Sequence, residues 1–340
     1  MMKEAMLWTP LEHGKAKCSV CSYRCVVPPG GVGHCRTRKN VDGRMFSMIY
    51  GTVTSEASDP IEKKPLYHFY PGSYSYSLGS VGCNFRCQHC QNWGISQADL
   101  QQVYTMDIMP GEVARNAADT MCRSVSWTYN EPGIWLEYTH DCAVKCHEKG
   151  IKTVYVTNGY PTAEHLEAMR GLLDAFRVDI KAFTEDFYRK VCGARLEPVL
   201  DSTRLAKEMG MHVEVVNLLI PGLNDSPEEV KALSMWCLEN LGPDTPLHFT
   251  RFHPMYHMED RGSTEVKTLE RAHDIARGVG MNYVYLGNVV GHRYENTWCP
   301  KCDSLLIERY GFKVLRYSIT ADKKCPKCGE KIPIVGEYGR

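Results

Sequence analysis

Three of the sixteen cysteines stand in the run Gly82-Cys83-Asn84-Phe85-Arg86-Cys87-Gln88-His89-Cys90-Gln91-Asn92-Trp93, a Cys-x3-Cys-x2-Cys spacing inside a glycine-led loop. Three thiolates this close can hold three corners of an iron–sulfur cubane, whose usual set is four cysteines, and leave the fourth iron to a ligand that is not protein. Zinc with a distant fourth ligand is the competing reading of the spacing alone. Two further sets can each close a four-thiolate site. Cys18, Cys21, Cys25 and Cys35 run Cys-x2-Cys-x3-Cys-x9-Cys through a Gly/Pro-rich stretch and suit zinc or a second iron–sulfur cluster. Cys299-Pro300-Lys301-Cys302 and Cys325-Pro326-Lys327-Cys328 are paired knuckles with 22 residues between them, the pattern of a zinc ribbon that folds a tail lacking its own core. Cys122, Cys142, Cys146, Cys192 and Cys237 are scattered through apolar segments and read as small buried hydrophobes.

Composition bounds the setting. The 340 residues are 43% hydrophobic and 24% charged, enough for one large domain with small appendages. Forty Lys and Arg balance forty Asp and Glu, so no overall field draws the chain to nucleic acid or anionic lipid. No stretch approaches the roughly 18 apolar residues of a membrane span, and the first residues form no signal-like run. A cytoplasmic protein is expected, where clustered cysteines read as metal ligands instead of disulfides.

Between the second and third cysteine sets, β-rich runs alternate with amphipathic helical ones, the pattern of βα units and a parallel sheet. Strands are expected near 75–81, 124–128, 152–157, 175–180, 212–220 and 247–252, with a closing run at 282–286. Helices are expected near 111–121, 133–149, 163–172, 198–209, 227–241 and 265–279. Six units are fewer than the eight of a closed barrel, so the expected fold is α/β, a partial (β/α)6 TIM-like barrel over 71–290. An N-terminal four-cysteine module and lead-in (1–70) and a C-terminal zinc-ribbon-like module (291–340) flank it. In such architectures chemistry gathers at the C-terminal ends of the strands, and the three-cysteine loop follows the first of them.

The loop and the later strand ends together resemble the radical S-adenosylmethionine superfamily. The resemblance implies a [4Fe-4S] cluster on Cys83, Cys87 and Cys90, with S-adenosylmethionine on the open iron, and it places Phe85, His89 and Asn92 on the cofactor side. His89 stands where the family often carries an aromatic residue. Asn130 and Glu131 of Tyr129-Asn130-Glu131-Pro132 fall where the family binds the amino group of S-adenosylmethionine, with Asn in place of Gly. Thr157 and Asn158 follow the third strand. Asp179 and Lys181 resemble the Asp-x-Lys pair that faces the methionine moiety in the pyruvate formate-lyase activating group, Asp toward the amino group and Lys toward the carboxylate. Asn217 and Pro221 resemble the fifth-strand element near ribose and adenine. Singly, each of these is a common cap or turn residue.

With the flanking cysteine sets, the runs Asp59 to Gly72, His248 to Pro254 and Tyr285 to Val289 are similar to the AmmeMemoRadiSam-type radical enzymes, relatives of pyruvate formate-lyase activating enzyme. Arg251 and His253 are then substrate-side catalytic candidates, or equally members of a structural network. The implied activity is one-electron cleavage of S-adenosylmethionine to a 5'-deoxyadenosyl radical that abstracts hydrogen from a protein or other bulky substrate. A flavodoxin- or ferredoxin-type donor is implied by that chemistry. RNA modification, weakened by the neutral charge, and a zinc-ribbon scaffold without turnover are the rival readings.

Overall fold

The computed structural model describes residues 1–339. Eight strands form one sheet in strict chain order: β1 (Ser55–Pro60), β2 (Tyr74–Gly79), β3 (Ser124–Trp127), β4 (Lys152–Thr157), β5 (Ala175–Asp179), β6 (His212–Leu219), β7 (Leu247–Arg251) and β8 (Val284–Gly287). β2 to β8 are parallel, and β1 pairs antiparallel with β2 along the outer edge. The sheet is therefore mixed and open, with β1 and β8 as its edges. The edge strand β1, which sequence patterning did not reveal, lies before residue 70.

Each parallel crossover carries a helix: α1 (Pro110–Asp119), α2 (Leu136–His147), α3 (Ala163–Ala168), α4 (Glu197–Glu208), α5 (Pro227–Leu241) and α6 (Val266–Val279). All six expected βα units are present, with ends shifted mostly by one or two residues. The expected helix 133–149 begins instead as a 3-10 turn over Pro132–Trp135. The expected helix 163–172 stops at Ala168, and Gly171 turns the chain at φ 72°.

Alternation along the strands divides two cores. Tyr155, Phe176, Val178, Val215 and Phe249 point outward and join the helices in the main core. Val154 and Ala175 point to the other face, where Ile61, Leu66 and Phe69 of the lead-in cover them. The same inner face carries Glu214, fully buried, which accepts from Tyr67 N (3.0 Å), His68 N (2.8 Å), His212 Nε2 (2.9 Å) and His248 Nε2 (2.7 Å). Burial pushes its carboxyl up, but His212 and His248 outweigh that and hold it well below the usual range. His68 continues this network through Tyr285 and Thr297 to Arg309 of the C-terminal module, a three-stranded antiparallel sheet of Thr297–Trp298, Leu305–Tyr310 and Lys313–Tyr317. Among the described residues no helix is long and apolar enough to cross a membrane.

Candidate active site

The three-cysteine loop follows β2, the C-terminal ends of β3 and β4 bond to it, and the segment after β7 reaches over it. Gly82 opens the loop at φ 83°, and a Cβ there would meet the Cys35 carbonyl at 2.9 Å and the Thr37 side chain at 2.6 Å, so only glycine fits. Phe85 N lies 3.3 Å from Cys83 Sγ, and Cys90 Sγ lies 3.1 Å from Ser96 Oγ in the short helical turn Trp93–Ser96. Arg86 braces the loop with bonds to the carbonyls of Cys83 and Phe85. Burial pushes the Cys83 and Cys90 thiols up. Contact with the Cys192 thiol, and then burial, does the same for Cys87. Binding a metal here must therefore release protons.

His89 is buried, and neither ring nitrogen has a partner. Burial and then the charge of Lys181 push its pKa down to about 3, which leaves a neutral imidazole. Asn158 donates through Nδ2 to Asn84 Oδ1 (2.8 Å) and lies 3.8 Å from Cys83 Sγ, while Asn158 Oδ1 and Asn84 Nδ2 are also unpartnered. Orphaned polar atoms beside three convergent thiols are what a site built for an iron–sulfur cluster and a polar ligand leaves when only protein is counted. The donor set fits that group.

Period two on β5 puts Arg177, Asp179 and Lys181 on one face. Arg177 Nη1 lies 2.6 Å from Asp179 Oδ1, and Lys181 Nζ lies 2.9 Å from Asp179 Oδ2. Burial raises the Asp179 carboxyl, but the two cations overcome it and hold it below its ordinary range. Burial likewise opposes the Lys181 ammonium, yet Asp179 keeps it charged. Asp179 and Lys181 retain 25% and 17% side-chain exposure, so the pair has an open side. Asn224 fixes the turn beyond, donating to the carbonyls of Lys181 (2.7 Å) and Leu218 (2.9 Å).

Glu131 is buried and ties two strand ends together: Oε1 accepts from Gly133 N (2.8 Å) and Thr157 Oγ1 (2.6 Å), and Oε2 from Asn158 N (2.8 Å). Burial outweighs these bonds and pushes its pKa up to about 7. Asn130 is spent on the loop backbone, accepting from Ser80 N (3.0 Å) and donating to the Gly82 carbonyl (2.9 Å), so its amide positions the loop. Phe85 is core, edge-on to Tyr160. Asn92, exposed, donates to the Tyr129 carbonyl (2.8 Å). Asn217 donates to the Ile180 carbonyl (2.8 Å), and the Pro221 carbonyl accepts from Arg261 (3.0 Å). Arg251 spends Nε on the Thr264 carbonyl (2.8 Å), and His253 is exposed beside Ser263 Oγ (3.1 Å).

Sequence reasoning missed three participants. Arg177 carried no motif, although its alternation with Asp179 and Lys181 was a usable signal. Cys192 was read as core and is buried, and its thiol also helps to push the Cys87 thiol up. Tyr256 stacks on exposed Trp93 at 5.2 Å, and His257 N bonds the Gln88 carbonyl (3.0 Å), so the segment after β7 closes over the cysteine loop. No local spacing announces that contact.

At the other end of the chain, the thiols of Cys299, Cys302, Cys325 and Cys328 lie within 4.8 Å of one another. That is a closed four-thiolate set of the size a single tetrahedral ion takes. The five cysteines outside the three sets are all buried.

Comparison with known proteins adds three findings. The family model described as the Radical SAM superfamily matches residues 78–234. An uncharacterised protein of Methanocaldococcus jannaschii is 45% identical over 98% of this chain and 100% of its own length, and pyruvate formate-lyase-activating enzyme of Clostridium pasteurianum is 25% identical over 45% of this chain and 65% of its own. The crystal structure of Streptococcus suis SuiB bound to S-adenosylmethionine superposes with a TM-score of 0.51 at 14% identity, over 67% of this chain and 55% of that one, a likeness of fold.

Proposed function

The chain belongs to the radical S-adenosylmethionine superfamily and is an enzyme, and from that premise we propose that it cleaves S-adenosylmethionine reductively and acts on a protein or other bulky substrate. The observation that carries this reading is the three-cysteine loop set beside orphaned His89 and the Asp179–Lys181 pair. A [4Fe-4S] cluster with S-adenosylmethionine supplies, when bound, a 5'-deoxyadenosyl radical able to abstract hydrogen.

Cys83, Cys87 and Cys90 hold the cluster. Asp179 and Lys181 offer one charge of each sign to the amino and carboxylate groups of a zwitterion, and Arg177 keeps Asp179 ionised. Glu131 contributes a further acceptor to the amino group, with Thr157 and Asn158 holding it in place. Asn130 and Asn92 act through the backbone they brace. Arg251 and His253 remain substrate-side candidates at the mouth, His253 by its exposure. We read the six parallel units as a segment of a barrel whose open side admits the substrate.

Two comparisons support a protein substrate. Activating enzymes are among the relatives, and SuiB, whose fold is similar (TM-score 0.50, 16% identity), has a structure bound to a precursor peptide. A one-electron donor of the flavodoxin or ferredoxin class completes the scheme. The C-terminal four-thiolate set suits structural zinc. Anaerobic protein given dithionite and S-adenosylmethionine should release 5'-deoxyadenosine, and Cys87→Ala should abolish it. Failure of the parent protein to form that product with its cluster intact refutes the proposal.

A further inference from the structure

We propose that Cys18, Cys21, Cys25 and Cys35 hold an iron–sulfur cluster, not zinc, and that this cluster passes the electron to the Cys83–Cys87–Cys90 site. The first argument is the spacing of the thiols. One zinc at about 2.3 Å from each sulfur holds four tetrahedral thiolates about 3.8 Å apart. The C-terminal set has that scale, with Cys299 Sγ 3.5 Å from Cys328 Sγ and Cys302 Sγ 3.6 Å from Cys325 Sγ. Among the described residues it is the one group of three or more Cys, His, Asp or Glu whose ligand atoms all lie within 4.8 Å of one another. No three of the N-terminal cysteines are so compact, and neither are Cys83, Cys87 and Cys90. A cubane spreads its thiolates because each binds a different iron. Both sets are therefore less compact than a single-ion site.

The second argument is what the four thiols enclose. They line a single cavity together with Arg38 and Ile134. Arg38 is 2% exposed; Nη2 pairs with Glu137 Oε2 at 2.5 Å, while Nη1 is buried with no partner. An unpaired guanidinium N–H in a cavity walled by thiols calls for an anionic occupant, and a cluster's sulfur atoms are such acceptors.

Third, the two sites adjoin. Arg86 of the cysteine loop donates to the His34 carbonyl beside Cys35 (2.5 Å) and to the Cys83 carbonyl (2.7 Å). The Cys35 carbonyl presses on Gly82. Cys25 is half-buried, so the outer edge of the module faces solvent. One electron from a low-potential donor of the flavodoxin or ferredoxin class reduces this cluster and then leaves it for the inner one, with no other co-reactant.

The site assignment stands apart from the radical reading, although the electron's destination rests on it. The test uses full-length protein reconstituted anaerobically with iron and sulfide. Replacing Cys83, Cys87 and Cys90 by Ala together should leave about four irons and four sulfides per chain, with about one zinc. In the otherwise native chain, Cys18→Ala with Cys21→Ala should halve the iron. A triple variant with no iron and two zincs overturns the assignment whether or not S-adenosylmethionine cleavage is found. In the reduced native protein, electron paramagnetic resonance should show two spin-coupled clusters; spectra that merely add the two variants' signals overturn the relay.

Discussion

Asp179→Asn is the sharpest probe of the proposed cofactor site. The carboxylate makes two charge-assisted contacts, 2.6 Å to Arg177 and 2.9 Å to Lys181, and an amide oxygen offers no charge to either. Arg177 Nε already lacks a partner, so the variant strands two cations at side-chain exposures of 8% and 17%. Breaking a buried pair costs about 3 to 5 kcal/mol, and the open side of this one puts the loss at about 3 kcal/mol. Stability falls by that amount, a sizeable part of a typical total of about 5 to 15 kcal/mol, and the affinity for S-adenosylmethionine falls more than about tenfold as Lys181 loses its anchor. Adding Lys181→Met to Asp179→Asn removes one stranded charge, so the double variant is less unstable than the two single losses added together. Denaturant unfolding of anaerobic protein measures all four corners of that cycle, with a coupling of about 1 to 3 kcal/mol expected. Because Asp179 is held below its ordinary pKa, its contribution is present above the unfolded carboxyl value and disappears only as pH falls through the folded one. Losses that add within about 0.5 kcal/mol would refute the idea that the two side chains act as a pair.

Glu131 gives the opposite pH signature. Its pKa is about 7 folded against 4.5 unfolded, so its contribution to stability is complete below the unfolded value and is lost as pH rises through 7. The stability of the native chain relative to Glu131→Gln should drop by about 2 to 3 kcal/mol between pH 5 and pH 8.5, and a pH-independent difference counts against burial as the cause. Glu214→Ala leaves four donors, three of them buried, without an acceptor and should cost about 3 to 5 kcal/mol at neutral pH. That cost shrinks in acid, since the depressed carboxyl contributes only above its folded pKa, and chemical unfolding at several pH values reads it. If the C-terminal thiols hold the proposed zinc, a strong chelator, or Cys299→Ser with Cys302→Ser, should raise amide exchange across residues 297–334 while leaving β2 to β8 protected; equal protection throughout would show that the thiols need no metal.

Much of the architecture was legible because its signals are local. The strand and helix periods located all six βα units, and the glycine-led loop at Gly82 marked one of the ends where chemistry collects. What escaped were contacts between segments far apart in the chain. β1 reads as an acidic and serine-rich run, Ser55 to Pro60, and becomes a strand only by pairing with the edge of β2. Arg177 is an isolated arginine until the pleat aligns it with Asp179 and Lys181, and Asn130, which looks like a ligand, is an amide whose bonds are taken by Ser80 and Gly82.

By itself the sequence determined the inventory: which thiols are grouped, which strands alternate with helices, and therefore the superfamily. Thiol count and order follow from covalent spacing along the loop. Only the tertiary structure decided how far apart those thiols are held. Two four-cysteine sets that look alike on paper differ in whether their sulfurs close to single-ion distance, because that depends on how Gly82, Arg38 and the strand ends pack around them. Charge balance was decided the same way. The desolvation that raises Glu131 and the paired cations that lower Asp179 come from neighbours brought together by the sheet, and spacing along the chain carries no record of them.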